Sequence, residues 1–280
     1  MKARVVVRKR FGQHFLEPAW VDKVVRAIDP RPDQAFIEIG PGRGALTRPL
    51  AARANAVVAY EIDRDLAAGL RAEAIPNVAI VEGDFLELSG DPPVFPSRGA
   101  RPAAASPSGV RVAGNLPYNV ASPILFRLAE LYAEGLPIAD ATVMLQREVA
   151  DRLIASPGTG EYGVLSVLMR HVADSQMLLK LPPGAFRPAP KVHSAVVRLQ
   201  FHPPDPPVAD PVVFTELVQA VFTRRRKTLA NALKAYQRGR ESIGPSRLPT
   251  PVTIDLRRRP ETLTVAEFVQ VAEWLADKRS

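Results

Sequence analysis

Cysteine is absent from the sequence, which removes disulfide frameworks, thiolate metal sites and cysteine nucleophiles together. Histidine is scarce too, with four residues and none in H-x-x-x-H spacing, so zinc has little to bind and no metal is expected. No apolar run comes near the ~20 residues of a membrane span, and no membrane role is expected. The basic first residues lead into neither an apolar stretch nor a small-residue cleavage site, so a secretory signal is not expected and a cytoplasmic location is. Acid is missing from two stretches in particular. Residues 1–10 carry Lys2, Arg4, Arg8, Lys9 and Arg10, and residues 224–240 carry Arg224, Arg225, Arg226, Lys227, Lys234, Arg238 and Arg240, in a chain of net charge +8. Clustered positive charge is the footprint of a phosphate backbone, with a solvated face or an Arg-rich compositional bias as the plainer explanation.

What is present is a soluble globular composition, 46% hydrophobic and 24% charged over 280 residues, enough for one large core or two domains. A basic arm over residues 1–16 precedes a helix from Pro18 to Ile28 with Trp20, Val21, Val24, Val25 and Ile28 on one face. Three apolar strands follow: 35–39 leading into Gly40-Pro41-Gly42-Arg43-Gly44, 56–60 ending at Glu61, and 78–81 ending in Glu82-Gly83-Asp84-Phe85. With helical segments between them, they predict a parallel sheet whose site lies at the strands' carboxyl ends. Residues 89–109, rich in Pro, Ala, Ser and Gly, read as a flexible insertion before the strand Val110-Arg111-Val112-Ala113. Further on, 121–132 reads as a helix, 141–145 as a fifth strand, 148–154 and 164–172 as helices, and 177–181 with 193–201 as a final strand pair. His202-Pro203-Pro204-Asp205-Pro206-Pro207 reads as a stiff extended linker, dividing a domain of residues 1–202 from a helical one of 208–280. The helices expected there are 212–222, 227–236 and 265–276, the last opened by the capping box Thr264-Val265-Ala266-Glu267.

The strand from Val110 ends in Gly114-Asn115-Leu116-Pro117-Tyr118-Asn119. Asn115 brings a side-chain carbonyl, Pro117 turns the Leu116 carbonyl outward, and Tyr118 brings a flat face. Two acceptors beside a ring suit a planar group bearing NH2, such as a flipped-out adenine, although an isolated N-x-P-Y is more often a plain turn. The glycine turn also has two readings. Dinucleotide enzymes use G-x-G-x-x-G, whereas here the third glycine comes one place early and Glu38 stands two residues before the first.

Glu-x-Gly-x-Gly-x-Gly resembles the pattern of class I methyltransferases that bind S-adenosylmethionine, whose sulfonium tolerates a nearby carboxylate as a phosphate would not. Glu61 would then accept from the ribose hydroxyls, and Asp84 with Phe85 would take the adenine amine and cover its ring. The chain is identified as a member of the ribosomal RNA adenine dimethyltransferases, closest in pattern to the bacterial small-subunit enzymes associated with kasugamycin sensitivity. The matching stretches are residues 10–16 (RFGQHFL), 38–47 (EIGPGRGALT), 83–86 (GDFL), 115–119 (NLPYN) and 186–194 (FRPAPKVHS). Two departures are a longer stretch before Asn115 and His14 in a place often held by Asn.

The resemblance implies an α/β fold of the class I S-adenosylmethionine-dependent kind, Rossmann-like, with a mostly parallel seven-stranded sheet and a small all-α carboxyl-terminal domain. It implies methylation of two adjacent adenosines near the 3′ end of small-subunit ribosomal RNA, with a small-subunit precursor as partner and a monomeric enzyme. The cofactor residues it implies are His14, Leu16, Gly40, Gly42, Glu61, Ile62, Asp84, Phe85 and Asn115. The catalytic ones are Asn115, Leu116, Pro117 and Tyr118, with Phe186 as candidate for the second face of the base and core packing as its alternative. Lys9, Arg10, Arg224, Arg225, Arg226 and Lys227 would grip RNA phosphates. The rivals are a large-subunit RNA methylase that confers antibiotic resistance, a non-catalytic ribosome-assembly factor, and an NAD-dependent oxidoreductase that the glycine spacing disfavours.

Overall fold

The computed structural model describes residues 14–89, 93–96, 109–238 and 254–276. It forms two units, one from residues 1–150 and 175–201 and the other from 151–174 and 202–280. In the first unit β1 (Phe15–Leu16) and α1 (Pro18–Ile28) precede β2 (Ala35–Ile39), α2 (Thr47–Arg53), β3 (Ala56–Glu61), α3 (Arg64–Arg71) and β4 (Val78–Glu82). Then come β5 (Val110–Asn115), α4 (Ala121–Ala133) and β6 (Ile138–Gln146); α5 (Arg147–Ile154) leads into the second unit, which holds α6 (Val164–Arg170), and the first unit resumes with β7 (Ala173–Leu181), β8 (Phe186–Arg187) and β9 (Ser194–Phe201).

Strands β2 and β3 are buried at every position, as apolar runs in a sheet covered on both faces must be. They sit inside a seven-stranded sheet of order β4-β3-β2-β5-β6-β9-β7. From β4 to β6 all pairs are parallel, and β9 turns antiparallel to β6. The mostly parallel seven-stranded sheet expected from the sequence is therefore present. Strand β7 starts four residues earlier than its apolar pattern indicated, because it lies at the end of the sheet order and only its two end residues are buried. Of the expected insertion, residues 90–92 and 97–108 lie outside the described residues, while Phe95 between them is buried, so this stretch has an anchor that its composition concealed.

The amino ends of the strands hold a buried ionic cluster. Arg111 donates to both oxygens of Asp140 at 2.8 Å, to the carbonyls of Ile28 and Asp29, and to Gln34 Oε1. Arg198 adds bonds to the Ala27 and Ile28 carbonyls. Two guanidinium groups thus cap the carboxyl end of α1, where the helix dipole favours cations.

The second unit corrects the expected boundary. Its core joins Ala155, Tyr162 and Val167 to residues of α7 (Pro211–Phe222), α8 (Leu229–Arg238) and α9 (Val265–Ala276). Tyr162, fully buried, donates its hydroxyl to the Leu263 carbonyl at 2.9 Å. Residues 151–174 therefore belong with the carboxyl-terminal helices, a grouping set by long-range packing. Nor is the proline-rich stretch a free linker: the amides of His202 and Asp205 donate to the Val172 and His171 carbonyls. The capping box of α9 is formed, with Glu267 N donating to Thr264 Oγ1 and Thr264 N donating to Glu267 Oε2.

Candidate active site

The carboxyl ends of β2, β3, β4 and β5 open onto one cavity. The loop after β2 needs its glycines, since Gly40, Gly42 and Gly44 have φ of 64°, 57° and 75°. A Cβ on Gly42 would also come within 3.1 Å of the Phe15 ring. The loop is tied down by the acid that ends β3: Glu61 accepts from Gly42 N–H through Oε2 and from Asp63 N–H through Oε1, both at 2.9 Å. Burial raises the Glu61 carboxyl, and those two N–H donors oppose the shift.

Glu38 lies in β2 between Ala59 of β3 and Ala113 of β5. It is 1% exposed, lines the cavity, and its Oε2 has no hydrogen-bond partner. Burial pushes its carboxyl up to about 8, against the opposing pull of the Thr47 hydroxyl, and the nearby Glu61 charge adds to the rise. An orphaned buried carboxyl beside this loop suits a positively charged ligand and disfavours a phosphate. The residues thus fit the sulfonium cofactor better than a dinucleotide.

After β4, Asp84 uses Oδ1 to cap the short turn of residues 85–87 through Leu86 N–H. Phe85 is 4% exposed and meets Tyr60 edge to face at 5.8 Å, so it presents little ring to a ligand. Ile62, 47% exposed, supplies the apolar surface at this part of the lining.

At the end of β5, Asn115 Nδ2 donates to the His14 carbonyl at 2.7 Å. A carbonyl can only accept, so the amide orientation is fixed and Oδ1 is left for an outside donor. Leu116 N–H is bound to the Met144 carbonyl of β6, which holds the tetrad's backbone. The Tyr118 hydroxyl hydrogen-bonds Ser194 Oγ at 2.6 Å, and its ring stacks on His14 with centroids 5.3 Å apart and planes 26° from parallel. Burial raises the Tyr118 phenol, opposed by the Ser194 bond.

His14 is brought there by the arm. β1 pairs with β8, setting Phe15 opposite Arg187 and Leu16 opposite Phe186. Glu17 N–H donates to the Ala185 carbonyl, and Arg187 pairs with the Glu17 carboxylate at 3.2 Å. The His14 ring is held by Nδ1 to the Pro188 carbonyl at 2.7 Å, and the Arg43 guanidinium lies over Phe15 at 4.3 Å.

His14, Leu16, Gly40, Gly42, Glu61, Ile62, Asp84, Phe85, Asn115, Leu116, Pro117 and Tyr118 are all brought to this cavity. Phe186 is not: it is fully buried among core residues, where pairing with Leu16 fixes it, so it offers no face to a base. Lys9 and Arg10 lie outside the described residues. In the second unit Arg224, Arg226 and Lys227 are exposed, whereas Arg225 is tied to Glu261 at 2.5 Å and to the Thr159 carbonyl. Ser194 and Phe15 were not singled out from sequence. Phe15 carried a signal, an aromatic inside the arm, but nothing local links Ser194 to a tyrosine 76 positions away.

A family model described as Ribosomal RNA adenine dimethylase matches residues 5–277. The chain is 43% identical over 269 residues to a protein of Methylibium petroleiphilum named Ribosomal RNA small subunit methyltransferase A, covering 95% of this chain and 96% of that one. It is 44% identical over 278 residues to a protein of the same name from Chromohalobacter salexigens, covering 96% and 92%. Among solved structures, a dimethyladenosine transferase from Plasmodium falciparum superposes with TM-score 0.75 at 23% identity, covering 95% of this chain and 98% of that one. The 23S rRNA methyltransferase ErmE gives TM-score 0.59 at 27% identity, covering 94% and 99%. Its glycine loop, strand-end acids and Asn115 tetrad, together with a match over nearly its whole length, show that the chain belongs to the ribosomal RNA adenine dimethylase family.

Proposed function

We propose that the protein methylates the exocyclic N6 amines of two adjacent adenosines near the 3′ end of small-subunit ribosomal RNA, giving N6,N6-dimethyladenosine. It acts in the cytoplasm, as a monomer, on a small-subunit precursor. The observation that carries this reading is Asn115, whose NH2 is committed to the His14 carbonyl so that Oδ1 remains as an acceptor in the cavity that Tyr118 also lines.

S-adenosylmethionine supplies the methyl group, activated on a sulfonium sulfur. Around it the Gly40 to Gly42 backbone gives close approach, and each Glu61 oxygen keeps a lone pair for a ribose hydroxyl after accepting from Gly42 or Asp63. Asp84 keeps Oδ2 for the adenine amine, with Ile62 against the ring and Phe85 behind it as support. His14 and Leu16 close over the cofactor from the arm. Asn115 Oδ1 and the Leu116 carbonyl accept the two hydrogens of the target amine and draw it toward tetrahedral geometry, freeing a lone pair that the ring otherwise delocalises. Pro117 fixes the carbonyl's direction. Tyr118 stacks on the base, a contact of about 1–3 kcal/mol, and Ser194 fixes its ring through the hydroxyl. Rate comes from positioning and from acceptors aimed at developing positive charge. Lys9, Arg10, Arg224, Arg226 and Lys227 hold phosphates without reading sequence.

The second reading is a large-subunit methylase, favoured by the likeness to the 23S enzyme. The small-subunit names of relatives above 40% identity support the first. Nucleoside mass spectrometry decides between them. Small and large subunits lacking the modification are incubated with protein and S-adenosylmethionine. Dimethyladenosine is expected in the small subunit; its appearance only in the large one moves the protein to the second reading.

A further inference from the structure

Glu38 is set in the wall of the cavity, and its Oε2 has no hydrogen-bond partner there. The cation whose charge acts on it is committed elsewhere: Arg48 on α2 makes a two-pronged bond to Glu73 at 2.8 and 2.5 Å and donates to the Arg43 and Gly44 carbonyls. The charged groups acting on Glu38 are Glu61 on β3, which disfavours ionisation, and Arg48, which favours it. Its sheet neighbours Ala59 and Ala113 carry no charge, and the neutral Thr47 hydroxyl on α2 favours the ionised form without supplying a counter-charge. The other titratable residues around the cavity are His14, Arg43, Tyr60, Asp84 and Tyr118. A buried carboxyl with no counter-ion stays protonated until one arrives.

We propose that Glu38 makes cofactor binding proton-coupled: as the cationic cofactor enters, the Glu38 O–H bond breaks, the proton leaves to solvent, and the carboxylate faces the incoming positive charge. The balance is one cation in and one proton out, so a poorly solvated cavity accepts a charged ligand without changing its own net charge. Glu38 thereby selects a cationic ligand over a neutral or anionic one of the same shape. The proposal rests on reading the cavity as the S-adenosylmethionine site.

The test is titration calorimetry with S-adenosylmethionine in buffers of differing ionisation enthalpy, on the full chain and on Glu38→Gln. At pH 7 the wild type should release close to one proton more than the variant, because its free carboxyl titrates near 8. Any proton exchanged by the ligand's own amine cancels in that difference. Affinity of the wild type should tighten about tenfold per pH unit up to pH 8 and then level off, while the variant loses that rise. Should the variant fail to fold, difference infrared spectroscopy of the wild type carries the test: a protonated-carboxyl band must disappear on adding cofactor. Binding with equal proton counts, or with that band unchanged, overturns the proposal alone. No binding at any pH overturns the functional reading and the proposal with it.

Discussion

At the amino end of the sheet, the buried Arg111 is paired with the half-buried Asp140 and has a partner for each of its donor nitrogens. At the carboxyl end, two residues further along in strand register, Glu38 is buried more deeply and its Oε2 has none. A paired buried charge holds a helix end to the sheet; an unpaired one raises the energy of the free protein and is kept for what will bind. Both ends belong to the same β-strands, so the difference lies in the partners that the chain supplies.

Substitutions at both ends of the sheet test that contrast, and others on the surface extend it. Arg111→Met should have the largest effect, up to about 3–5 kcal/mol of stability, because it leaves the Asp140 carboxylate to Arg198 at 3.6 Å and removes a donor from the Ile28 and Asp29 carbonyls. Urea unfolding measures it, and adding Asp140→Leu should restore much of the loss. Asn115→Ala should lower the transfer rate by about 10²–10³, the range found when one aimed hydrogen-bonding group is removed. Single-turnover methylation of unmodified small subunits reads this, and a fully active variant would end the acceptor role.

Glu38→Gln should act in the opposite sense to Arg111→Met and stabilise. The folded carboxyl titrates near 8 against 4.5 unfolded, so the unfolded chain sheds its proton first as pH rises. Folding stability is unaffected below pH 4.5 and falls between 4.5 and 8. The variant should match the wild type in thermal melts at pH 4 and exceed it at pH 8 by on the order of a few kcal/mol. Next in size, Tyr118→Phe and Ser194→Ala should each raise KM for the subunit, and combining them should add little. A double-mutant cycle then gives a coupling of about 0.5–1.5 kcal/mol.

Surface charge forms a third case, neither paired nor orphaned but solvated. Neutralising Arg224 and Arg226 should weaken RNA binding and flatten its salt dependence by about one unit of log–log slope per lost phosphate contact. Arg225→Gln should instead lower stability by about 1 kcal/mol or less, since its Glu261 partner is partly solvated. An unchanged salt slope in the first variant removes RNA binding from this patch.

The parts of the site that were legible in the sequence are local ones. Gly40, Gly42, Glu61, Asp84 and Asn115 each end a strand or begin the turn after one, and a parallel sheet brings successive strand ends together without further instruction. Contacts made across the chain were not legible. The His14 carbonyl meets Asn115 over 101 positions, and Ser194 meets Tyr118 over 76. Arg111 reads as one polar residue in an apolar strand until Asp140 is seen beside it. Phe186 misled for the same reason, since only its pairing with Leu16 shows that the ring turns into the core. The helices 147–154 and 164–170 follow their pattern, but which unit residues 151–174 join depended on Tyr162 reaching Leu263.

Beyond Gly83 to Leu86, which line the cavity, the chain between β4 and β5 returns to the sheet at Gly109, next to the amino end of β5, while the cavity lies at the other end of that strand. Its length is therefore decoupled from the chemistry. Closing a loop twice as long costs only about 0.6 kcal/mol, and residues added there displace no strand's carboxyl end. Relatives can thus lengthen or shorten this segment by drift, and an engineer can splice a reporter into it, with Asn115 still arriving at the same place.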